Sequence, residues 1–152
     1  MPKHIIIFTD GGARGNPGPA ASGFVIYAGK EKILERGVYL GTTTNNQAEY
    51  GAILFSLIEA QKMGAQIIEM FMDSELAVRQ LNRIYKVKDK TLAKLFIKIW
   101  NLSQSFQKIS FTHIPREKNK AADAMVNQGI DEGLIGRQKP TQLLDPVTNP
   151  NN

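Results

Sequence analysis

An apolar run rich in β-branched residues, from Lys3 to Thr9, constrains the fold of this chain more than any other feature. Such a run is typical of a strand that is covered on both faces of a sheet. It ends at Asp10, and the next segment, from Gly11 to Pro19, contains four glycines and two prolines, which indicates turns. The chain is therefore expected to build its fold around a buried strand with an acid at its carboxyl end.

The patterns after this strand predict the element order βββαβααβα, which is an α/β fold. Two more strands, joined by a Gly-Lys turn, make an antiparallel meander with the first. Helix and strand signals then alternate, and no internal repeat is visible. The remaining elements are expected at residues 22–28 and 33–40 (strands), 45–63 (helix), 67–72 (strand), 75–84 and 91–106 (helices), 109–114 (strand) and 118–128 (helix).

The length of 152 residues predicts one compact domain at residues 1–132, followed by a tail of low order at 133–152. The tail has three prolines and few large apolar residues, so it cannot bury enough surface to become ordered alone. Leu143, Leu144 and Val147 are the exception, because a short apolar patch can dock on the domain or on a partner.

Two features of the composition exclude whole classes of protein. The chain has no cysteine, which excludes disulfides, zinc–thiolate sites and thiol nucleophiles and is compatible with a reducing compartment. The longest uncharged apolar stretch, Tyr50 to Ile58, is far shorter than the ~20 residues that span a bilayer, and the first residues do not form a secretory signal. We expect a cytoplasmic protein that has no contact with a membrane.

The net charge of +5 is concentrated in one segment. From Arg79 to Lys98 there are seven basic residues and a single acid, Asp89. A concentrated basic face is typical of proteins that bind polyanions such as nucleic acid, because each neutralised phosphate releases counterions. A solvated helix face accounts for the cluster equally well. The candidate contacts to a polyanion include Lys86, Lys88, Lys94 and Lys98.

Four acids lie at the ends of predicted elements. Asp10 and Asp73 close the first and fourth strands, and Glu49 and Asp123 lie early in helices. If these two strands are neighbours, their carboxyl ends meet at the sheet edge where ligands of such sheets collect. Crowded carboxylates either raise a pKa or bind a cation, and oxygen ligands in a chain without cysteine favour Mg²⁺ or Mn²⁺ over Zn²⁺. The acids therefore predict a divalent-metal site.

Each of these acids could also have a purely structural role. An acid in the first turns of a helix, such as Glu49 or Asp123, is stabilised by the helix dipole alone. Asp73 and Ser74 could form no more than a helix cap. The position of Asp10 favours the metal site, because an unpaired charge at the end of a buried strand is costly and usually has a partner.

Histidines and glycines near these acids are further candidates. His113, near the end of the fifth strand, is either a hydrogen-bonded residue of the sheet end or a proton shuttle, since imidazole titrates near neutral pH. His4 has no comparable context. Gly11 and Gly12 do not belong to a phosphate-binding P-loop, but their bare backbone would let a nucleic-acid strand approach closely.

Four segments of the chain carry a resemblance to a known family. They are IIIFTDGGARGNPGPA at the first strand, TTTNNQAEYGAI with Glu49, MFMDSELAVRQL with Asp73, and THIPREKNKAADAMVNQ with His113 and Asp123. In this order, and over residues from Lys3 to about Asp131, they resemble ribonuclease H of type 1. Many relatives carry a basic protrusion between the third acid and the histidine, for which this chain has no equivalent, so binding would depend on the segment from Arg79 to Lys98.

The resemblance implies a five-stranded mixed sheet, three antiparallel strands followed by parallel additions, flanked by helices. It implies metal-dependent endonucleolytic cleavage of the RNA strand of RNA/DNA hybrids. On the matching positions Asp10, Glu49, Asp73 and Asp123 are the metal-binding carboxylates, and His113 aids product release. Four carboxylates are enough to hold two Mg²⁺ or Mn²⁺ ions ~3.5–4 Å apart, one for the attacking water and one for the leaving 3′ oxygen. Asp10 is expected to bridge them.

The 2′-hydroxyl is the only group that distinguishes RNA from DNA at a given nucleotide, so a hybrid-specific enzyme has to contact it. Backbone and amide groups can do so because amides both donate and accept hydrogen bonds. The candidate contacts are Gly11, Gly12, Asn16, Asn45 and Asn46, and Thr44 beside them is a further candidate for substrate binding.

Two other functions stay open. One is a nuclease of the wider ribonuclease H-like fold that acts on duplex DNA. The other is a non-catalytic module that binds hybrids, which is disfavoured because four acids repel an anionic ligand. We expect a monomer without an obligate protein partner.

Overall fold

The computed structural model describes residues 3–144 and contains one five-stranded sheet with helices on both faces. The strands are β1 (His4–Ala13), β2 (Gly18–Ala28), β3 (Glu31–Thr43), β4 (Ile67–Met72) and β5 (Lys108–His113). The helices are α1 (Asn45–Lys62), α2 (Glu75–Leu81), α3 (Lys90–Ser103) and α4 (Lys120–Leu134), with a short 3₁₀ turn at Arg116–Lys118. The predicted element order is confirmed.

The sheet has the strand order β3-β2-β1-β4-β5, so β1 is the central strand. β1 and β2 pair antiparallel, as do β2 and β3, whereas β1 and β4, and β4 and β5, pair parallel. The mixed five-stranded sheet that the resemblance implies is therefore confirmed. In the parallel register Thr9 lies beside Met72, so the residues that follow them, Asp10 and Asp73, lie at the same edge of the sheet.

Helices α1 and α3 cover one face of the sheet, and α4 covers the other. The larger core joins side chains of the sheet to α1 and α3, among them Ile7, Tyr50 and Leu95, each at most 1% exposed. On the opposite face, Val126 and Ile130 of α4 pack against Ala21 of β2. None of the helices within residues 3–144 is both long enough and apolar enough to cross a bilayer.

Helix α2 is shorter than predicted. The sequence predicts a helix to about Ile84, but α2 ends at Leu81, because Arg83 adopts a left-handed conformation with φ +64°. The amides of Arg83 and Ile84 then bond back to the carbonyls of Gln80 and Arg79. This is the pattern with which a glycine usually ends a helix.

Helix α4 runs to Leu134, beyond its predicted end at Gln128. Gly133 permits this longer helix. At this position β3 lies so close to α4 that a Cβ on Gly133 would fall 2.2 Å from the ring of Tyr39. Hydrophobic periodicity does not reveal this contact, because one of its two sides is a glycine.

The tail that the sequence predicts to be of low order is packed against the domain as far as Leu144. The Gln138 side chain and the Thr141 amide form hydrogen bonds of 2.8 to 3.0 Å with the backbone of β3. Leu143 and Leu144 contact the larger core, while Val147 lies outside the described residues. The prediction of low order is therefore wrong up to Leu144, because β3 is an edge strand whose free backbone groups the tail can satisfy.

Candidate active site

Asp10 lies near the carboxyl end of the central strand but does not close it. β1 continues to Ala13, because β2 keeps pairing with it as far as Ala20. β4 ends at Met72, so Asp10 lies just beyond the last residue of that neighbour. The Asp10 Oδ1 atom accepts a hydrogen bond of 2.9 Å from the Gly11 amide.

Helix α1 brings Glu49 close to Asp10 through a glycine contact. A Cβ on Gly11 would fall 2.2 Å from both the Ala48 carbonyl carbon and the Glu49 amide nitrogen, so only glycine permits this approach. The Ser22 hydroxyl of β2 donates a hydrogen bond of 2.6 Å to the Ala48 carbonyl oxygen. The turn of α1 that carries Glu49 is thereby fixed to two strands.

Asp73 follows β4 and is held by Asn119, a residue that the sequence does not single out. Asn119 is 1% exposed and donates from Nδ2 to the Thr9 carbonyl oxygen at 2.8 Å and to the Asp73 Oδ2 atom at 3.3 Å. Its Oδ1 atom is buried and has no hydrogen-bond partner among the described residues. Ser74 caps α2 with its own hydroxyl, so the cap does not use the Asp73 carboxylate.

Asp10, Glu49 and Asp73 form a cluster in which one ligand oxygen of each lies within 4.8 Å of the others. Burial, and then repulsion from Asp73, raise the pKa of Asp10 to about 8, against the effect of the Gly11 hydrogen bond. Burial also raises the pKa of Glu49 to about 7, with added repulsion from Asp73 and an opposing hydrogen bond from Ser74. Near neutral pH this cluster binds either protons or a cation. All its donors are carboxylate oxygens, which fit a hard divalent cation.

Asp123 lines the same cavity of about 650 Å³ but stands outside the cluster of three. Close packing of α4 on β2 places it there, since a Cβ on Gly23 would fall 2.5 Å from the Ala122 carbonyl oxygen and 2.7 Å from the Val126 amide nitrogen. Gly23 pairs with Asp10 in the sheet, so α4 crosses the sheet at the level of the cluster. One cavity therefore gathers all four acids predicted to bind metal.

His113 ends β5 beside Met72 and is exposed. It lies at the sheet edge where the acids are, two strands away from β1, but it does not line their cavity. The structure therefore places His113 at the sheet edge that carries the acids, but not in the cavity that the acids line. His4, at the start of β1, is exposed and pairs with Glu69.

The substrate contacts predicted near the acids fall into two groups. Four of them line the cavity, namely Gly11, Gly12, Asn45 and Asn46, whereas Asn16 and Thr44 do not. Thr44 is the N-cap of α1, and the Asn16 Oδ1 atom accepts a hydrogen bond of 3.0 Å from the Asn45 amide. The Asn45 Oδ1 atom in turn accepts 2.8 Å from the Ala13 amide. Both asparagines thus brace the backbone around the cavity.

The predicted lysine contacts lie away from this cavity. Lys94 and Lys98 are on α3, and Lys86 and Lys88 are in the loop before it. Asp89, the one acid of this segment, caps α3, since its Oδ1 atom accepts a hydrogen bond of 2.9 Å from the Leu92 amide. Contact between these lysines and a nucleic acid stays a prediction.

Two arginines line the cavity and were not predicted to do so. Arg14 forms an ion pair of 2.8 Å with Asp131 and a hydrogen bond to the Asn127 side chain. Arg116, in the 3₁₀ turn, forms no ion pair with any residue between 3 and 144. Both lie in segments next to the acids, but sequence position does not show where a long side chain points. The cavity thus combines four acids with two cations at its wall.

Known proteins resemble this chain over most of its length. Residues 8–129 match the reverse transcriptase-like family. A ribonuclease HI of Halobacterium salinarum is 40% identical over 126 residues, covering 82% of this chain and 63% of that protein. A ribonuclease H of Polynucleobacter asymbioticus is 33% identical over 146 residues, covering 86% of this chain and 92% of that protein. The chain spans 35% of the length of the mycobacterial proteins that it also matches.

The fold also matches solved structures. The crystal structure of LC11 RNase H1 in complex with an RNA/DNA hybrid has a TM-score of 0.81 and 47% sequence identity. The match covers 86% of this chain and 99% of that one. The similarity therefore extends over nearly all of the solved structure.

Proposed function

Since the chain belongs to the ribonuclease H family, we propose that it cleaves the RNA strand of RNA/DNA hybrids by metal-dependent hydrolysis. The cluster of Asp10, Glu49 and Asp73, with Asp123 in the same cavity, carries this proposal. Four acids repel a polyanion unless cations neutralise them, so they serve a nuclease and would only weaken a simple binding module. The complex of LC11 RNase H1 with a hybrid supports the choice of substrate.

The proposed cofactors are two Mg²⁺ or Mn²⁺ ions held by Asp10, Glu49, Asp73 and Asp123. Three findings support this: the donors are all carboxylate oxygens, those of Asp10, Glu49 and Asp73 converge within 4.8 Å, and all four acids line one cavity. When bound, such ions activate the attacking water and stabilise the leaving 3′ oxygen. In this proposal Asp10 would be the ligand shared by both ions.

The residues of the chain keep these ligands in place before substrate binds. The Gly11 amide donates a hydrogen bond to Asp10, and the absence of a Cβ on Gly11 lets the turn of α1 that carries Glu49 approach closely. Asn119 donates a hydrogen bond to Asp73. Such fixation lowers the reorganisation that a flexible set of ligands would need. Because Asp10 and Glu49 hold protons near neutral pH, binding of a cation releases protons and strengthens as the pH rises.

The asparagines at the cavity and beside it suit recognition of the sugar. Asn16 and Asn45 each accept a backbone hydrogen bond through Oδ1, which orients the side chain and leaves the Nδ2 group to donate to a ligand. A donor matches the lone pairs of a 2′-hydroxyl, and the bare backbone at Gly11 and Gly12 allows the strand to approach. Asn46 lines the cavity beside Asn45. These residues are therefore the proposed readers of the RNA strand.

His113 and the basic segment act outside the cavity in this proposal. The exposed imidazole of His113, at the sheet edge but outside the cavity, suits a role in product release rather than in metal binding. The segment from Arg79 to Lys98 supplies cations for the phosphates of the hybrid. One chain provides all four acids, so the proposed active unit is a monomer.

A cleavage assay tests this function directly. Labelled RNA/DNA, RNA/RNA and DNA/DNA duplexes are incubated with the protein at millimolar Mg²⁺ and, separately, with a chelator. We expect cleavage only of the RNA strand of the hybrid, and only with the metal. Cleavage of duplex DNA, or cleavage of the hybrid in the presence of chelator, would contradict the proposal.

A further inference from the structure

Arg14 lies in the turn between β1 and β2 and lines the cavity of the four acids, here called the carboxylate cavity. The backbone of this residue is fixed, because the Arg14 amide donates a hydrogen bond of 2.8 Å to the Pro19 carbonyl oxygen. A Cβ on Gly18 would fall 2.1 Å from the Arg14 carbonyl oxygen, so the turn is tightly closed. A change in the position of the guanidinium therefore has to come from the side chain alone.

One side of α4 carries three polar residues at intervals of four, so they form a row along the helix. The row begins at Asp123, one of the four acids, and continues at Asn127, which also lines the carboxylate cavity. The Asn127 Nδ2 atom donates a hydrogen bond of 3.2 Å to the Asp123 carbonyl oxygen. The row ends at Asp131, which does not line the cavity. It therefore leads from the acids to the rim of the cavity.

The Arg14 guanidinium lies across the outer half of this row. Its Nη1 atom forms the ion pair of 2.8 Å with the Asp131 Oδ1 atom. Its Nη2 atom donates to the side-chain oxygen of Asn127 at 3.3 Å and to the main-chain oxygen of the same residue at 3.5 Å. The Arg14 side chain is 42% exposed and that of Asp131 is 64% exposed. Because an ion pair between exposed side chains adds little to stability, Asp131 can release Arg14 at low cost.

A phosphate of the substrate is a suitable new partner for Arg14. The four acids of the cavity repel a polyanion, so a cation in the cavity wall favours its approach. A guanidinium donates two parallel hydrogen bonds to a phosphate, a geometry that a lysine cannot offer. The turn of Arg14 directly follows Gly11 and Gly12, which are proposed to contact the RNA strand, and also contains Asn16. The RNA strand would therefore pass within reach of Arg14.

On the basis of the function proposed above, we propose that Arg14 binds a backbone phosphate of the RNA strand and that Asp131 competes with this phosphate for it. In the free protein Asp131 holds the guanidinium on α4. When a hybrid binds, the side chain exchanges the carboxylate for the phosphate, and Asp131 is left in solvent. Asp131 thereby lowers the affinity of the protein for its substrate.

A purely structural tie between the turn and α4 would show the same contacts, but it predicts a different effect of Asp131. A tie is broken by the loss of either partner, so Arg14→Ala and Asp131→Asn would both weaken substrate binding or leave it unchanged. If Asp131 instead competes with the substrate, its loss sets Arg14 free. Asp131→Asn should then strengthen binding, whereas Arg14→Ala should weaken it.

Fluorescence anisotropy of a labelled RNA/DNA hybrid measures binding to the full chain, with a chelator present so that the hybrid is not cleaved. Arg14→Ala should weaken binding about 10-fold, the usual loss for a hydrogen-bonded charge pair. It should also reduce the slope of log affinity against log salt by about 0.9, the value for one phosphate contact. Asp131→Asn should strengthen binding about two- to fivefold, in line with the small energy of an exposed ion pair.

A double variant separates release of Arg14 from a general effect of charge. Arg14→Ala/Asp131→Asn should bind as weakly as Arg14→Ala alone, because no guanidinium is left to release. Glu59→Gln is the matched control, since Glu59 pairs with Arg36 at 3.2 Å and does not line the carboxylate cavity. It removes the same charge and should leave binding unchanged. The proposal is overturned if Asp131→Asn weakens binding, or if it strengthens binding equally with and without Arg14.

Hybrids with a single uncharged methylphosphonate linkage identify the strand that Arg14 contacts. At one position of the RNA strand, this linkage should weaken binding by the wild type and abolish its difference from Arg14→Ala. If no position of the RNA strand has this effect, or if the wild type does not bind the hybrid at all, the proposal is overturned. Cleavage at millimolar Mg²⁺ is measured separately, and Arg14→Ala should raise KM with little change in kcat. A wild type that binds the hybrid without cleaving it would contradict the proposed function, while the binding data would still decide the role of Arg14.

Discussion

The carboxylate cavity and the surface where Arg83 lies over Trp100 of α3, here called the α3 surface, both depart from the most stable arrangement of their residues, but in different ways. In the cavity the departure is electrostatic, since burial and repulsion raise the pKa values of Asp10 and Glu49. On the α3 surface it is conformational and hydrophobic, since Arg83 has a left-handed φ and Trp100 stays 41% exposed. Departures of both kinds are expected where residues serve binding rather than stability.

The two regions also differ in how firmly they are held. Four elements converge on the cavity, and glycine contacts at Gly11 and Gly23 leave no space between them. The α3 surface rests on one helix and the loop before it. A single substitution should therefore have a large effect on function in the cavity and a small effect on stability at the α3 surface.

Asp10→Asn should have the largest effect on function. It removes the charge of one proposed ligand with little change in volume, so hybrid cleavage at millimolar Mg²⁺ should fall to the level without enzyme while the circular dichroism spectrum is unchanged. Asp73→Asn should behave in the same way. Glu35→Gln, an exposed acid on β3, is the control and should cleave normally. Turnover of Asp10→Asn near that of the wild type would exclude Asp10 as an essential ligand.

Asn119→Ala should have an intermediate effect, because Asn119 acts through Asp73. Loss of a group that orients a metal ligand typically costs about 10- to 100-fold in activity or metal affinity. Cleavage should fall by this amount, and the Mg²⁺ concentration for half-maximal rate should rise. Calorimetric titration of Mn²⁺ into the free protein should show the same weakening. An unaltered metal requirement would restrict Asn119 to a structural role. The control is Asn101→Ala, the same substitution at an exposed position of α3, which should change neither cleavage nor the metal requirement.

The stability of the metal-free protein should depend on pH through the cavity. The pKa of Asp10 is raised from 3.8 to about 8 in the fold, so the folded state holds its proton more tightly than the unfolded state. The contribution of Asp10 to the free energy of unfolding is therefore complete below about pH 4 and is lost as the pH rises toward 8. Asp10→Asn removes this titration, so with a chelator present it should be more stable than the wild type at pH 8 by a few kcal/mol and equal near pH 4. Urea denaturation at both pH values measures this, and a wild-type advantage at pH 8 would contradict it.

The sequence predicts the acids of the cavity better than the residues that hold them. Asp10 and Asp73 each follow an apolar stretch of sequence, so the parallel pairing of β1 and β4 brings them together without further information. Asn119 cannot be predicted in this way, since it lies just before α4, distant in the chain from its two partners, the Thr9 carbonyl of β1 and the Asp73 carboxylate after β4. The helix end at Arg83 is missed for a different reason, because turn signals depend on glycine or asparagine and an arginine in this conformation gives none.

Arg83→Gly should have the smallest effect and tests the comparison most closely, because a matched position exists. Gly64 ends α1 with φ +73°, as Arg83 ends α2 with φ +64°. Gly64→Ala should cost about 1 kcal/mol, the usual penalty for a side chain in this conformation. Arg83→Gly relieves a penalty of about that size but loses a cation–π contact of about 0.5–1 kcal/mol and makes the unfolded chain more flexible. Its urea midpoint should therefore stay close to that of the wild type. A loss of about 2 kcal/mol or more would show that the stack on Trp100 stabilises the fold, and the α3 surface would then differ less from the cavity than we infer.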